Sequence, residues 1–89
     1  MRGMLSFLLL FLISKKPMNG QELAEELEKR RGEKPSPGTI YPALKNLRES
    51  KLIKESREGK EIIYTLTNEG EKGLKEAKKY FCKTFGELL

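Results

Sequence analysis

Ser36, Gly38, Thr39, Tyr41, Pro42, Lys45 and Asn46 place hydroxyl, phenol, ammonium and carboxamide groups within eleven residues. Hydroxyls and phenols bond phosphate oxygens. Lys45 and Asn46 are long enough to reach base edges, where lysine favours guanine and asparagine favours adenine. A helix opening at Ser36 adds free backbone N–H groups suited to a phosphate, and Gly38 leaves room for close approach to a duplex. Further along, Arg57 and Lys60 offer charge to a sugar-phosphate backbone. Each residue also has an ordinary role. Ser36 and Pro37 start a helix, Tyr41 can fill the edge of a core, an exposed lysine is solvated, and charges near a hairpin tip protect its edge. Contact with double-stranded DNA is favoured only because all of them converge on one face of one architecture.

Bond-making chemistry has little to work with. The chain has one cysteine, Cys82, and no histidine, so neither an internal disulfide nor a Cys/His zinc site can form. Cys82 lacks a histidine base and reads as a small apolar residue on a helix. No carboxylate pair at a convincing spacing and no phosphate-cradling glycine loop is present, so neither an enzyme nor a cofactor is expected. The net charge of +5, from 18 basic and 13 acidic residues, is compatible with a polyanionic partner and forms no basic tail. The apolar run Met4–Ile13 is ten residues long, against about 20 for a membrane span. Lys15-Lys16-Pro17 follows it where a signal peptide would have small residues. A cytoplasmic protein with no membrane partner is expected.

The elements that must position these groups follow from periodicity. Leu5, Leu8, Leu9 and Leu12 form a helical stripe within a first helix over Met4–Ser14, yet Phe7, Leu10, Phe11 and Ile13 occupy its other faces. A helix apolar on nearly every side must be covered on nearly every side. In 89 residues that calls for a second chain, hence a homodimer. Asn19 caps the next helix, with Glu22 placed for a capping box and Met18 and Leu23 for a hydrophobic staple, and Gly32 ends it. A third helix opens at Ser36 with Pro37 in its first position. Ile40, Ala43, Leu44 and Leu47 face inward. Pro42 should kink or disorder its first turn, and a start near Tyr41 is the alternative. Ile53–Ser56 and Glu61–Leu66 read as strands joined by Arg57–Lys60, with Gly59 supplying the positive φ of a tight hairpin. Thr67 caps a last helix whose stripe, Leu74, Ala77, Phe81, Phe85 and Leu88, has nothing obvious inside to pack on.

This order makes a mainly α fold with a small β-hairpin: a winged helix-turn-helix with a C-terminal dimerisation helix. Residues 1–66 form the DNA-binding unit, including the N-terminal helix and the wing, and 67–89 the helix for dimerisation. Leu5, Leu8, Leu12, Leu74, Phe81, Phe85 and Leu88 are the expected dimer contacts. Winged helices also serve as protein-binding modules, so a protein-docking role without DNA is the alternative.

Three strings carry a family resemblance: Pro17-Met18-Asn19-Gly20-Gln21-Glu22-Leu23, Ser36-Pro37-Gly38-Thr39-Ile40-Tyr41-Pro42-Ala43-Leu44, and Tyr64-Thr65-Leu66-Thr67-Asn68-Glu69-Gly70. Together they resemble the PadR family of transcriptional regulators. The resemblance implies a third helix that reads an operator, a homodimer formed through the first and last helices, and usually repression. Ser36, Gly38, Thr39, Tyr41 and Pro42 match the family's DNA-facing segment, and Lys45 falls where a basic residue is common. Pro42 within this helix is the family's habit. Three departures stand out. Asn19-Gly20-Gln21 replaces a frequent His-Gly-Tyr, Lys51 stands where a glycine usually precedes the wing, and the larger C-terminal region of many members is missing. Some members bind aromatic drugs between tryptophans. This chain has none, so drug sensing has little support, and the small-molecule effector is unknown.

Overall fold

The computed structural model describes the backbone of residues 2–86 and the side chains of residues 4–79. The elements are α1 (Arg2–Lys15), α2 (Gly20–Arg31), α3 (Pro37–Glu49), β1 (Ile53–Glu58), β2 (Glu61–Leu66) and α4 (Asn68–Gly86). α1 touches α2, α3, β2 and α4, so the apolar run of the sequence becomes the central post of the domain. Leu9 and Leu12 of α1, Leu23 and Leu27 of α2, Ile40 and Leu44 of α3 and Ile53 of β1 are fully buried together. Among the described residues no helix is long and apolar enough to cross a membrane.

Local chemistry sets the helix ends. The Asn19 side chain accepts from the Glu22 N–H at 2.7 Å, and the Glu22 carboxylate accepts from the Asn19 N–H at 3.0 Å, which completes the expected capping box. Gly32 takes φ 77° and donates to the Glu28 carbonyl at 2.7 Å, closing α2 in the left-handed conformation that glycine adopts without strain. Thr67 Oγ1 accepts from the Gly70 N–H at 3.0 Å and donates to the Lys51 carbonyl at 2.6 Å. The threonine therefore caps α4 and also fastens its start to the α3–β1 connection. Gly70 fits that join tightly, since a β-carbon there would lie 2.0 Å from the Leu52 carbonyl oxygen.

Three expectations are corrected. Pro42 does not interrupt α3, which runs as one helix from Pro37 to Glu49. Pro42 has no N–H to offer the carbonyl of Gly38, four residues earlier, and the first turn is tightened by Thr39 N–H to the Ser36 carbonyl at 2.9 Å. β1 continues two residues past Ser56, pairing Arg57 with Ile62 and Glu58 with Glu61. Gly59 at φ 63° takes the first place of a two-residue turn, so Arg57 belongs to the strand and only Lys60 to the tip. Leu12 and Leu74 are 1% and 5% exposed within the single chain. They belong to its own core and have no surface left for a second chain. α4 therefore does pack inward, on α1 and β2.

Leu5 and Leu8 remain half-buried at the rim of this core, beside Met4, which is 39% exposed. The Phe11 ring is covered by Lys15, Arg30 and Lys78, whose charged groups stand 4.9, 5.6 and 5.5 Å from its centre. The side chains of Phe81 and Phe85, like Cys82 and Leu88, lie outside the described residues.

Candidate nucleic-acid interface

α3 is amphipathic in the sense the sequence demands. Ile40, Leu44 and Leu47 are buried, whereas Ser36, Gly38, Thr39, Tyr41, Pro42, Lys45 and Asn46 are all exposed on one continuous surface. Among the described residues nothing buries Ser36, Thr39 or Lys45. The Ser36 hydroxyl does not cap the backbone as expected but lies 3.2 Å from the Thr39 hydroxyl. That frees the first-turn N–H of Gly38, which has no carbonyl inside the helix to donate to. Arg31, Glu33 and Lys34 line the same cleft as Ser36 and Thr39, so the α3 start combines a positive dipole end with two cations and one carboxylate.

Two residues of this face work against the helix that carries it. Relative to alanine, glycine costs about 1 kcal/mol and proline about 3 kcal/mol in a helix interior. Gly38 has no positive φ, and a β-carbon there would meet nothing nearer than Ser36 Oγ at 3.8 Å. Neither backbone conformation nor packing within the chain requires a glycine at 38.

Lys45 and Asn46 follow on the exposed surface. Lys45 Nζ lies 3.9 Å from Glu49, with both side chains more than half exposed, a contact of at most a few tenths of a kcal/mol (roughly 0.3–0.5 for such helical pairs). The ammonium is easily redirected to another anion. Arg48 is committed elsewhere, for its guanidinium donates to Glu55 of β1 at 3.0 Å. This partly exposed pair links α3 to the wing.

A second tie holds the wing to the first half of the motif. Tyr64 of β2 and Met18, before α2, exchange backbone hydrogen bonds of 2.9 and 3.4 Å. The hairpin thus gains a short third partner. Burial pushes the Tyr64 phenol above its ordinary value of 10.0, with Glu55 and Tyr41 adding to the rise and Arg48 opposing it, so it remains a neutral donor at physiological pH. Tyr41 is 48% exposed and lies across Gly20, where a β-carbon would sit 2.7 Å from its ring. Tyr41, Tyr64, Asn19, Gly20, Gln21 and Lys60 share a cleft of about 270 Å3 between the α2 start and the wing. Arg57 and Lys60 are both exposed, flanking α3 from the hairpin.

The Transcriptional regulator PadR-like family model matches residues 9–76. The chain belongs to the PadR-like family of transcriptional regulators. Solved structures agree with this fold. A PadR-like transcriptional regulator from Bacillus cereus superposes with a TM-score of 0.89 at 27% identity, covering 97% of this chain and 88% of that one. A PadR family transcription regulator from Clostridium difficile gives 0.77 at 30% identity, covering 94% and 96%. RosR from H. salinarum gives 0.83 at 26% identity, covering 91% and 74%. None of the curated proteins matches the sequence. The family is one of regulators rather than enzymes, and among the described residues no group of His, Cys, Asp or Glu side chains could hold a metal ion.

In this PadR-like chain, contacts that the sequence did not single out relate helix and wing. They are Arg48 with Glu55, the Met18–Tyr64 bridge, and Gly20 beneath Tyr41. The signals for the first and last were present as an unassigned arginine at the end of α3 and a glycine at the first position of a capped helix. Their partners lie far along the chain.

Proposed function

We propose that the chain is a sequence-specific double-stranded DNA-binding regulator that acts in the cytoplasm as a homodimeric repressor on a pseudo-palindromic operator. The observation that carries this reading is the outer face of α3. It is exposed, carries the polar groups of Ser36, Thr39, Tyr41, Lys45 and Asn46, and is accompanied by a hairpin bearing Arg57 and Lys60. A helix of this kind fits the major groove, where Lys45 and Asn46 reach base edges and the Ser36–Thr39 turn takes a phosphate.

Dimer formation is supported by α1, whose Leu5 and Leu8 stay half-buried next to exposed Met4. Residues 67–89 supply the second part of that contact, through Phe81, Phe85 and Leu88. Two α3 helices related by a two-fold axis read half-sites about 34–36 Å apart.

Selection of bound duplexes from a random pool tests the reading directly. The expected result is an enriched inverted repeat with a spacing of one helical turn. A pool that stays random, together with no gel retardation at micromolar protein and low salt, overturns it.

A further inference from the structure

The cleft of about 270 Å3 between the α2 start and the wing holds several times the roughly 30 Å3 share of one water molecule. Hydrogen-bond donors converge on it. Gly20 and Gln21 open α2, and as first-turn residues their N–H groups have no carbonyl inside the helix to donate to. The Asn19 side chain caps the Glu22 N–H instead. Tyr41 brings a phenol to the same place, because its hydroxyl oxygen lies 2.8 Å from where a Gly20 β-carbon would stand. Lys60 reaches the cleft from the wing.

Tyr64 is the member that the fold leaves unexplained. It is 5% exposed and lines the cleft. Its backbone is bonded to Met18, but among the described residues its hydroxyl has no hydrogen-bond partner. Buried polar groups are nearly always paired, and a phenylalanine would fill the same space without an oxygen to satisfy. Burial keeps the phenol protonated, so what it offers is a donor.

We propose that Tyr64 donates its phenol to a backbone phosphate of bound DNA, seated in this cleft with Tyr41, Lys60 and the Gln21 N–H. One carboxylate, Glu61, also lines the cleft and offsets the charge of Lys60. The phosphate is therefore held by directed donors more than by excess positive charge, and the contact anchors the duplex without reading its sequence. The inference rests on the DNA-binding reading above and adds a second phosphate site to it, apart from the α3 start.

Tyr64→Phe tests it, since the variant loses one oxygen and keeps the ring. The free protein should melt no lower than wild type at neutral pH, because the phenol gives up no partner within the described chain. Affinity should fall about tenfold on operator and random duplex alike, the scale of one hydrogen bond to a charged oxygen. The slope of log affinity against log salt should stay as in wild type, because no cation is removed. Duplexes carrying a single neutral methylphosphonate then locate the contact. At one backbone position in each half-site that substitution should weaken wild-type binding and leave Tyr64→Phe binding nearly unchanged, while elsewhere the two effects multiply. A variant that binds both duplexes as tightly as wild type, or whose loss multiplies with methylphosphonate at every position, overturns the inference and leaves the DNA-binding reading intact. So does saturable binding of inorganic phosphate, followed at the Gln21 amide resonance, without any such coupled backbone position; the cleft would then serve a free phosphorylated molecule. A wild-type chain that binds no duplex removes both.

Discussion

The ring of Tyr41 lies across the α-carbon of Gly20, so closely that a β-carbon on Gly20 would stand 2.7 Å from Tyr41 Cε1 and 2.8 Å from its hydroxyl oxygen. This contact joins the first residue of α2 to the exposed face of α3 and holds a phenol at the mouth of the cleft beside the wing. Gly20→Ala should force the half-exposed ring outward. Alanine also favours the helix, so unfolding in urea should shift by less than about 0.5–1 kcal/mol. Affinity for operator DNA should nevertheless fall several-fold, as should that of Tyr41→Ala. Unchanged binding by fluorescence anisotropy would mean that the position of Tyr41 is irrelevant to DNA contact.

Lys51 adopts φ 63°, the only non-glycine positive φ among the described residues. The strain stands where the chain must turn from α3 into β1, and the Lys51 carbonyl there receives the Thr67 hydroxyl. Left-handed geometry costs a side-chain-bearing residue roughly 1–2 kcal/mol, and the added freedom of an unfolded glycine returns about 0.4–1 kcal/mol of that. Lys51→Gly should stabilise the protein by about 0.5–1 kcal/mol, raising Tm by about 3–6 °C. Lys51→Ala keeps the strain and should give no such gain. Equal Tm values for the glycine and alanine variants would show that the conformation is not what limits stability here.

Much of this architecture is legible in short stretches of sequence, because its signals are local. Asn19 and Glu22 specify a capping box by spacing alone, Thr67 announces α4, and Ile40, Leu44 and Leu47 set the inward side of α3. What escaped depends on partners distant in the chain. Leu74 reads as part of a stripe with nothing to cover it until α1 is seen to run beside it. The length of β1 is set by how few residues the Gly59 turn needs, so Arg57 moves from the tip into the ladder. The exposed outer face of α3 was legible because exclusion from the core follows from helical period. The Arg48–Glu55 and Met18–Tyr64 ties, which aim the wing, leave no periodic trace.

Tyr64 predicts a pH dependence. Its phenol titrates higher in the folded protein than in the unfolded chain, chiefly because it is buried. The native state thus keeps a proton that the unfolded state releases once pH exceeds about 10. Stability from this group is complete below pH 10 and is lost progressively as pH rises above it. The readout is the difference between wild type and Tyr64→Phe. The wild type should lose stability relative to the variant as pH rises above about 10. A difference that stays flat to pH 11 would contradict the assignment.

Lys45 and Lys60 separate reading from anchoring. Lys45 lies on the exposed α3 surface with only a loose contact to Glu49, so little holds it back from a base edge. Lys60 sits in the wing turn, at the cleft it shares with Tyr41, and on the proposed docking it meets the backbone of the duplex. Lys45→Ala should cost about 1–3 kcal/mol on the selected operator and much less on random duplex. Lys60→Ala should weaken both duplexes alike and reduce the slope of log affinity against log salt by about 1, the signature of one lost phosphate contact. Both sites are exposed, so neither variant should melt differently from wild type, and changes in binding can be assigned to contacts. Equal losses on operator and random duplex for Lys45→Ala would assign that lysine to the backbone and leave Asn46 and the α3 start to carry the base readout.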